Sequence, residues 1–131
     1  GHVTGVQTCA LPIYLHGEAF NFGPRAEQNH TVLNLLHDLA VDWGFDQPQS
    51  AYCVVDEIPF NEAGLLKLNC DKALHYLKWQ STLDYVQTTR YVADWYKFDS
   101  AGDNEGIFVK TLEQIAEYEE VAKNQKSAWT K

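Results

Sequence analysis

Apolar residues recur in the first half of the chain at the spacing of an amphipathic helix. The clearest stripe follows the i, i+3, i+4, i+7 pattern and contains Val32, Leu35, Leu36, Leu39 and Trp43. Asn29 or Thr31 can cap the start of this helix, and Gly44 stands where glycine commonly ends one. The pattern predicts a helix that buries one face.

Two short runs of aromatic and apolar residues flank this helix. The first, Ala19–Phe22, is ended by Gly23 and Pro24, and the second is Tyr52–Val55. Short β-rich runs bounded by turn residues are typical of buried strands. A strand, a helix and a strand in this order indicate a βαβ unit, so we expect an α/β fold with a parallel sheet.

The middle of the chain alternates a loop with short ordered pieces. Residues 56–64 are expected to form a loop, and Leu65–Leu68 a short extended piece. Asp71–Leu77 has the composition of a short helix, and Asn69 can cap it. Trp79 is expected to be a core residue that helps this helix to pack, because large aromatic side chains bring large buried areas.

Two further helices are predicted from capping signals. Ser81 followed by Asp84 indicates a helix from Thr82 to about Phe98, with apolar residues on two faces and Trp95 and Tyr96 in the core. Thr111 followed by Gln114 indicates a last helix that runs to about Lys123. Residues 99–106, which hold two glycines and three acids, are expected to form a flexible loop between the two helices.

The first thirteen residues differ from the rest of the chain. They show no helical or strand period and no Lys or Arg, and polar residues and Gly5 interrupt any apolar run of the length of about 7–15 residues that a secretory signal needs. The stretch resembles the translation of a common sequencing-library adapter. We therefore expect 1–13 to be a non-native leader, with a genuine, poorly ordered N-terminal tail as the alternative, and 14–131 to carry the fold and function.

Composition narrows the class of partner. The formal net charge of −8 disfavours nucleic acid and anionic membranes as partners, since both are bound through basic surfaces. No apolar run approaches the roughly 20 residues that a membrane helix requires. The three cysteines and five histidines show no spacing typical of a disulfide framework or a metal site. We expect a cytoplasmic protein that holds no metal.

Four stretches together resemble a known family. Gly17–Pro24, Glu62–Ala73, Leu77-Lys-Trp79 and Asp94-Trp-Tyr96 are similar in order and spacing to the C-terminal part of the CDP-glucose 4,6-dehydratases. The Thr-Leu-Glu-Gln-Ile start of the last predicted helix is similar too. The resemblance covers 14–131. These enzymes are NAD-dependent lyases of the extended short-chain dehydrogenase/reductase class.

The resemblance implies a reaction and a fold. Members of the family convert CDP-glucose to CDP-4-keto-6-deoxyglucose by oxidising C4, eliminating water across C5 and C6, and returning the hydride to C6. It implies a CDP-sugar substrate, NAD as the cofactor of the intact parent, and a parent that is often a homodimer. The chain would supply the last strand–helix–strand of a Rossmann-type fold and a helical substrate-binding lobe.

Two signatures of this enzyme class are missing from the sequence. The eight glycines never fall in a Gly-x-x-Gly-x-x-Gly turn, which would cradle the cofactor pyrophosphate. None of the seven tyrosines has a lysine four positions later, the pair that supplies the general base. We therefore expect the chain alone to hold no catalytic or cofactor-binding residue and to be inactive.

Five residues are candidates for substrate binding. By resemblance Asn21 contacts the nucleotide; alternatively its amide bonds its own turn, as asparagine readily does. Arg25 is a candidate phosphate contact or an exposed residue after the turn. Lys67 could neutralise diphosphate as a point charge, or it could face solvent between two leucines.

The other two candidates lie in one loop. The family usually shows Pro-His-Glu-Ala where this chain has Phe60-Asn-Glu-Ala63, so a role for Asn61 does not transfer directly. Asn61 could still donate to a phosphate or ribose oxygen. Glu62 matches the family and could accept from ribose hydroxyls, or it could fix the loop by accepting backbone amides.

Two other functions stay open. A related nucleotide-sugar epimerase or reductase would usually carry an Arg-Pro-type loop where this chain has Ile58-Pro-Phe-Asn61, which favours the dehydratase. A free-standing, non-catalytic nucleotide-binding module would need a natural start shortly before Tyr14, which the adapter-like leader disfavours.

Overall fold

The computed structural model describes residues 12–55 and 67–131. Within these residues the chain forms four α-helices: α1 Val32–Trp43, α2 Asp71–Leu77, α3 Tyr85–Ser100 and α4 Asn104–Asn124. Short 3₁₀ turns lie at Ile13–Leu15, Pro48–Ala51 and Ala128–Thr130. Helix α3 packs against both α1 and α4, so it joins the two halves of the described chain.

The prediction of an α/β fold is wrong, because the residues that the structure describes contain helices and no strand. Both Ala19–Phe22 and Tyr52–Val55 lack regular secondary structure. A strand exists only when a neighbouring strand takes up its backbone hydrogen bonds. The β-rich composition of these runs carries no information about whether such a neighbour is present. The expected Rossmann-type strand–helix–strand unit is therefore also absent from the described residues.

Side-chain contacts hold the first of these runs in place. The ammonium of Lys72 lies 2.6 Å from a carboxylate oxygen of Glu18, donates to the carbonyl of Ala19 at 3.0 Å, and sits 4.9 Å from the centre of the Phe20 ring. The hydrogen bond that Lys72 donates to the Glu18 carboxylate, together with the positive charge of Lys72, lowers the pKa of Glu18. Residues 18–20 are thus attached to α2 through one lysine.

The capping signals of α1 are confirmed. The Thr31 hydroxyl accepts from the backbone N–H of Asn34 at 3.1 Å, and the Asn34 side chain accepts from the Thr31 N–H at 3.1 Å. Gly44 ends the helix with φ at 99°, a left-handed conformation that glycine adopts without a Cβ penalty. The bounds predicted for α2 are also confirmed, but its N-cap is Cys70 and not Asn69 as predicted. Asn69 lies one residue earlier, and its Oδ1 accepts from the Asp71 N–H at 2.8 Å.

Helix α3 begins three residues later than predicted. Asp84, expected as the third residue of a capping box that Ser81 opens, is itself the N-cap. Its carboxylate accepts from the Gln87 N–H at 2.7 Å, and the Gln87 side chain accepts from the Asp84 N–H at 3.0 Å. The box has therefore shifted by one helical turn.

Helix α4 begins seven residues earlier than predicted, so the expected loop 99–106 shrinks to a short connection. Asp103 caps α4 by accepting from the Gly106 N–H at 2.9 Å. Thr111 is no cap: its hydroxyl donates to the Ile107 carbonyl at 2.7 Å and accepts from the Trp95 indole N–H at 2.9 Å. The Gln114 amide donates to the Tyr91 carbonyl at 2.9 Å. The expected capping pair instead ties α4 to α3.

The core of the described residues is small. Its buried apolar members are Leu15, Ala40, Ala73, Ala93 and Ala122. Alanines on facing helices allow close approach but bury little apolar area. The stripe of α1 that was predicted to be buried is partly exposed, with Val32 at 70% and Leu36 at 42%. Tyr96, predicted in the core, is 56% exposed, while Trp79 and Trp95 are half-buried.

Candidate functional site

A cavity among the described residues lies between three segments of the chain. Residues 22–27, 67–71 and 79–81 line it together with Leu74, and its volume is about 830 Å³. The first segment precedes α1, the second leads into α2, and the third follows α2. The start and the end of the short helix α2 therefore both face the same space.

Arg25 is presented to this cavity by a tight turn. Pro24 restricts the backbone before it, and the Arg25 carbonyl accepts from the Gln28 N–H at 3.1 Å, which closes the turn. Within residues 12–55 and 67–131 the guanidinium of Arg25 has no hydrogen bond or ion pair. Its five donors are available to an anion that enters the cavity.

Lys67 is brought to the same turn from 41 residues away. Its ammonium donates to the carbonyl of Ala26, the residue after Arg25. Lys67 also lines the cavity, so it does not simply face solvent between two leucines. Two cations therefore meet at one cavity of a chain whose formal net charge is −8.

Asn21 lies beside the cavity. Its side-chain amide donates to the backbone carbonyl of Asn69 at 3.3 Å, which links residues before the first turn to the start of α2. This bond differs from both roles considered from sequence, the nucleotide contact and the bond within its own turn. A role for Asn21 in ligand binding stays a prediction. Asn61 and Glu62 lie outside the described residues.

The cavity lining also carries negative charge. Glu27 lies two residues after Arg25, and Asp71 is the first residue of α2. The two positive and two negative side chains of the lining give it a formal net charge of zero. An anion is therefore favoured only where it lies nearer to the two cations than to Glu27 and Asp71. A bound phosphate should therefore lie against the turn that Arg25 and Lys67 share.

Two aromatic rings form part of the cavity wall. The rings of Phe22 and Trp79 are 5.0 Å apart between centroids and meet edge to face at 80°. Sequence reasoning assigned Trp79 to the core and gave it no role in a site. The family resemblance included Leu77-Lys-Trp79, but it assigned no ligand contact to this stretch.

A smaller, mainly polar cavity of about 210 Å³ adjoins the first, and Arg25, Glu27 and Ser81 line both. Thr82 also lines the smaller cavity. Its hydroxyl is buried and has no hydrogen-bond partner in the part of the chain that the structure describes. Arg25 thus stands where the two cavities meet.

The described residues do not fit NAD. A dinucleotide pyrophosphate is bound at a helix start whose backbone amides are free. At each described α-helix start a side-chain oxygen already accepts from one of the backbone amides; these oxygens belong to Thr31, Asn69, Asp84 and Asp103. The two aspartates would in addition repel a pyrophosphate.

Two other kinds of site were sought in residues 12–55 and 67–131. They contain no group of three or more His, Cys, Asp or Glu residues arranged to hold a metal ion. None of their helices combines the length and the apolar character needed to cross a membrane.

The chain is similar to a curated protein. A protein of Salmonella typhimurium named CDP-glucose 4,6-dehydratase is 28% identical to the chain over 120 residues. The match covers 88% of this chain and 32% of the relative, so the chain spans about a third of the length of the protein it matches. No protein-family model and no solved structure matches the chain. The similarity supports a nucleotide-sugar dehydratase-like origin.

Proposed function

We propose that the chain is the C-terminal part of an NAD-dependent lyase that converts CDP-glucose to CDP-4-keto-6-deoxyglucose, and that it binds the nucleotide end of the substrate. In this proposal NAD supplies the redox chemistry from a site formed by the rest of the parent. The described residues of the chain bind and orient the CDP group and carry out no proton or hydride transfer.

The observation that carries the proposal is the meeting of Arg25 and Lys67 at one cavity. A nucleoside diphosphate needs cationic donors for its two phosphates, and arginine can engage a phosphate through two parallel hydrogen bonds. The Lys67 contact with Ala26 places both cations on the same turn. The volume of about 830 Å³ falls in the range typical of small-molecule sites.

The exposed apolar surface supports an origin in a larger protein. Val32 on α1 and Phe108 on α4 are 70% and 64% exposed, and many other large apolar side chains of the described residues are exposed as well. Apolar surface of this extent usually marks a face that another part of a protein covers. A parent about three times as long, as the relative is, has enough chain to cover it.

Isothermal titration calorimetry of the 131-residue chain with CDP tests the binding proposal. Arg25→Gln and Lys67→Gln should each weaken binding by about tenfold, because each removes a charge-assisted contact to phosphate. Glu27→Gln should tighten binding by a few-fold, because it removes a negative charge from the lining. Lys110→Gln, on α4 outside the cavity, makes the same charge change as Lys67→Gln and should leave the affinity unchanged.

Opposite effects of Arg25→Gln and Glu27→Gln would locate the anion in this cavity. Equal losses in Lys67→Gln and Lys110→Gln would instead mean that only the net charge matters, and would contradict the site. The chain supplied with NAD should not turn over CDP-glucose. Measurable turnover would contradict the proposal that catalysis needs the rest of a parent.

A further inference from the structure

We propose that Trp79 and Phe22 form a stacking wall for a nucleobase, so that the cavity selects a nucleoside diphosphate over an inorganic one. This inference rests on the proposed function and deepens it, because it names the part of the ligand that each side of the cavity recognises. The cations at the Arg25 turn take the phosphates, and the ring pair takes the base.

The geometry of the ring pair leaves surface for a ligand. The two rings meet edge to face, with an interplanar angle of 80° at a centroid distance of 5.0 Å. Each ring has two faces, and an edge-to-face contact covers only one of these four faces. Both rings line the cavity, and the Phe22 side chain is 49% exposed. A planar base can therefore contact an aromatic face without displacing either ring.

The position of Trp79 is fixed by the end of α2. Lys78 takes a left-handed conformation with φ at 55°, and its N–H donates to the Leu74 carbonyl at 3.1 Å. The Trp79 N–H then donates to the Ala73 carbonyl at 3.2 Å. These two bonds close the end of α2 and hold the backbone of Trp79 against its last turn. The backbone position of Trp79 and the contact of its ring with Phe22 limit how far the ring can move, which reduces the entropy lost when a ligand stacks on it.

The charges of the lining place the phosphates away from this wall. Lys67 is held at the Ala26 carbonyl, and Arg25 belongs to the same turn. Neither ring carries a formal charge, so the wall attracts an uncharged planar group more than it attracts phosphate. A ring face stacks on any nucleobase, so this wall recognises the presence of a base and does not distinguish which base is bound.

Calorimetric titrations of the full chain with CDP and with inorganic pyrophosphate test the inference. Base stacking on an aromatic side chain changes affinity by roughly 5- to 150-fold. We expect wild-type protein to bind CDP more tightly than pyrophosphate by a factor in this range. Trp79→Leu should remove most of that preference and leave pyrophosphate binding unchanged, whereas Trp79→Phe, which keeps a ring, should retain it.

A matched control is Trp129→Leu, since Trp129 is 51% exposed and stacks on Tyr118 at 6.0 Å, outside the cavity. Phe22→Leu gives a second test if Trp79→Leu does not fold. Equal affinity of the wild-type chain for CDP and pyrophosphate would overturn the stacking wall and leave the phosphate site standing. Binding of neither ligand would overturn both the wall and the proposed function.

Discussion

The hydroxyl of Tyr85, in the first turn of α3, donates a hydrogen bond to a carboxylate oxygen of Asp38 on α1 at 2.7 Å. The His30 ring stacks on the Tyr85 ring with a centroid distance of 3.5 Å and an angle of 7°. One tyrosine therefore joins α1, α3 and the segment that leads from the cavity into α1. Among the described residues, whose buried core is small, this hydrogen bond adds a polar link between α1 and α3.

Tyr85→Phe should lower the free energy of unfolding by about 1 kcal/mol. It keeps the ring that His30 stacks on and removes only the bond to Asp38, whose side chain is 41% exposed, so the effect is smaller than for a fully buried charged bond. Tyr96→Phe is the control, because Tyr96 is 56% exposed and its hydroxyl has no such bond to another described residue. Urea unfolding followed by circular dichroism measures both; equal effects would contradict the role of the Asp38 bond.

The same pair predicts how stability depends on pH. Burial, followed by the hydrogen bond to Asp38, raises the pKa of Tyr85 to about 12. Because the folded-state pKa is raised, the contribution of Tyr85 is fully present below about pH 10 and is lost as the pH rises toward 12. The hydrogen bond from Tyr85 lowers the pKa of Asp38, so that contribution is present above about pH 3.9 and is lost as the pH falls further.

This pH dependence can be measured as the stability difference between wild type and Tyr85→Phe. The difference should be constant from about pH 5 to pH 9 and should shrink at both extremes. Burial also raises the pKa of Tyr91, so absorbance titration of the tyrosines should show one late-ionising group fewer in Tyr85→Phe than in wild type. A difference that stays constant up to pH 12 would contradict the hydrogen bond.

The start of α3 gives a second prediction. Asp84→Ala should destabilise the chain by about 1 kcal/mol, because it removes the side chain that caps the Gln87 N–H. Ser81→Ala, at the cap that the sequence pattern favoured, should change stability by less than about 0.5 kcal/mol. Thermal or urea unfolding of the two variants measures both changes. A larger loss from Ser81→Ala would mean that the helix begins a turn earlier than Tyr85.

A third prediction concerns the end of α2. Lys78 has φ at 55°, where an L-residue with a Cβ costs about 1 kcal/mol relative to glycine. Lys78→Gly should therefore stabilise the chain by about 0.5–1 kcal/mol, after allowing for the greater freedom of glycine in the unfolded state. Lys78→Ala keeps the Cβ and should give no gain. A gain in both variants would point to the lysine charge as the cause.

The helices that could be predicted from sequence are those whose signals are local. Thr31 and Gly44 lie at the two ends of α1 and act through neighbouring backbone groups, so their effect can be recognised without the tertiary structure. At α3 the spacing Ser81–Asp84 and the spacing Asp84–Gln87 both satisfy a capping box. The sequence alone does not decide between them, and in the structure Asp84 and Gln87 form the capping box.

The features that could not be predicted depend on distant contacts. Whether Ala19–Phe22 becomes a strand depends on a neighbouring strand, and the described residues supply Lys72 and Asn69 instead. The burial of the α1 stripe depends on what covers it. The approach of Lys67 to Ala26 spans 41 residues, so a resemblance could suggest both cations but could not place them on one cavity.

Backbone amide NMR of the ¹⁵N-labelled chain, titrated with CDP, tests the central claim most directly. We predict that chemical-shift changes concentrate in residues 21–27, 67–71 and 79–81 and extend to Asn61 and Glu62. The chemical shifts of the α4 amides should not change. Arg25→Gln should abolish the pattern at the same CDP concentration. Shifts confined to α4, or no shifts at millimolar CDP, would contradict the account of this chain as the nucleotide-binding part of a nucleotide-sugar dehydratase.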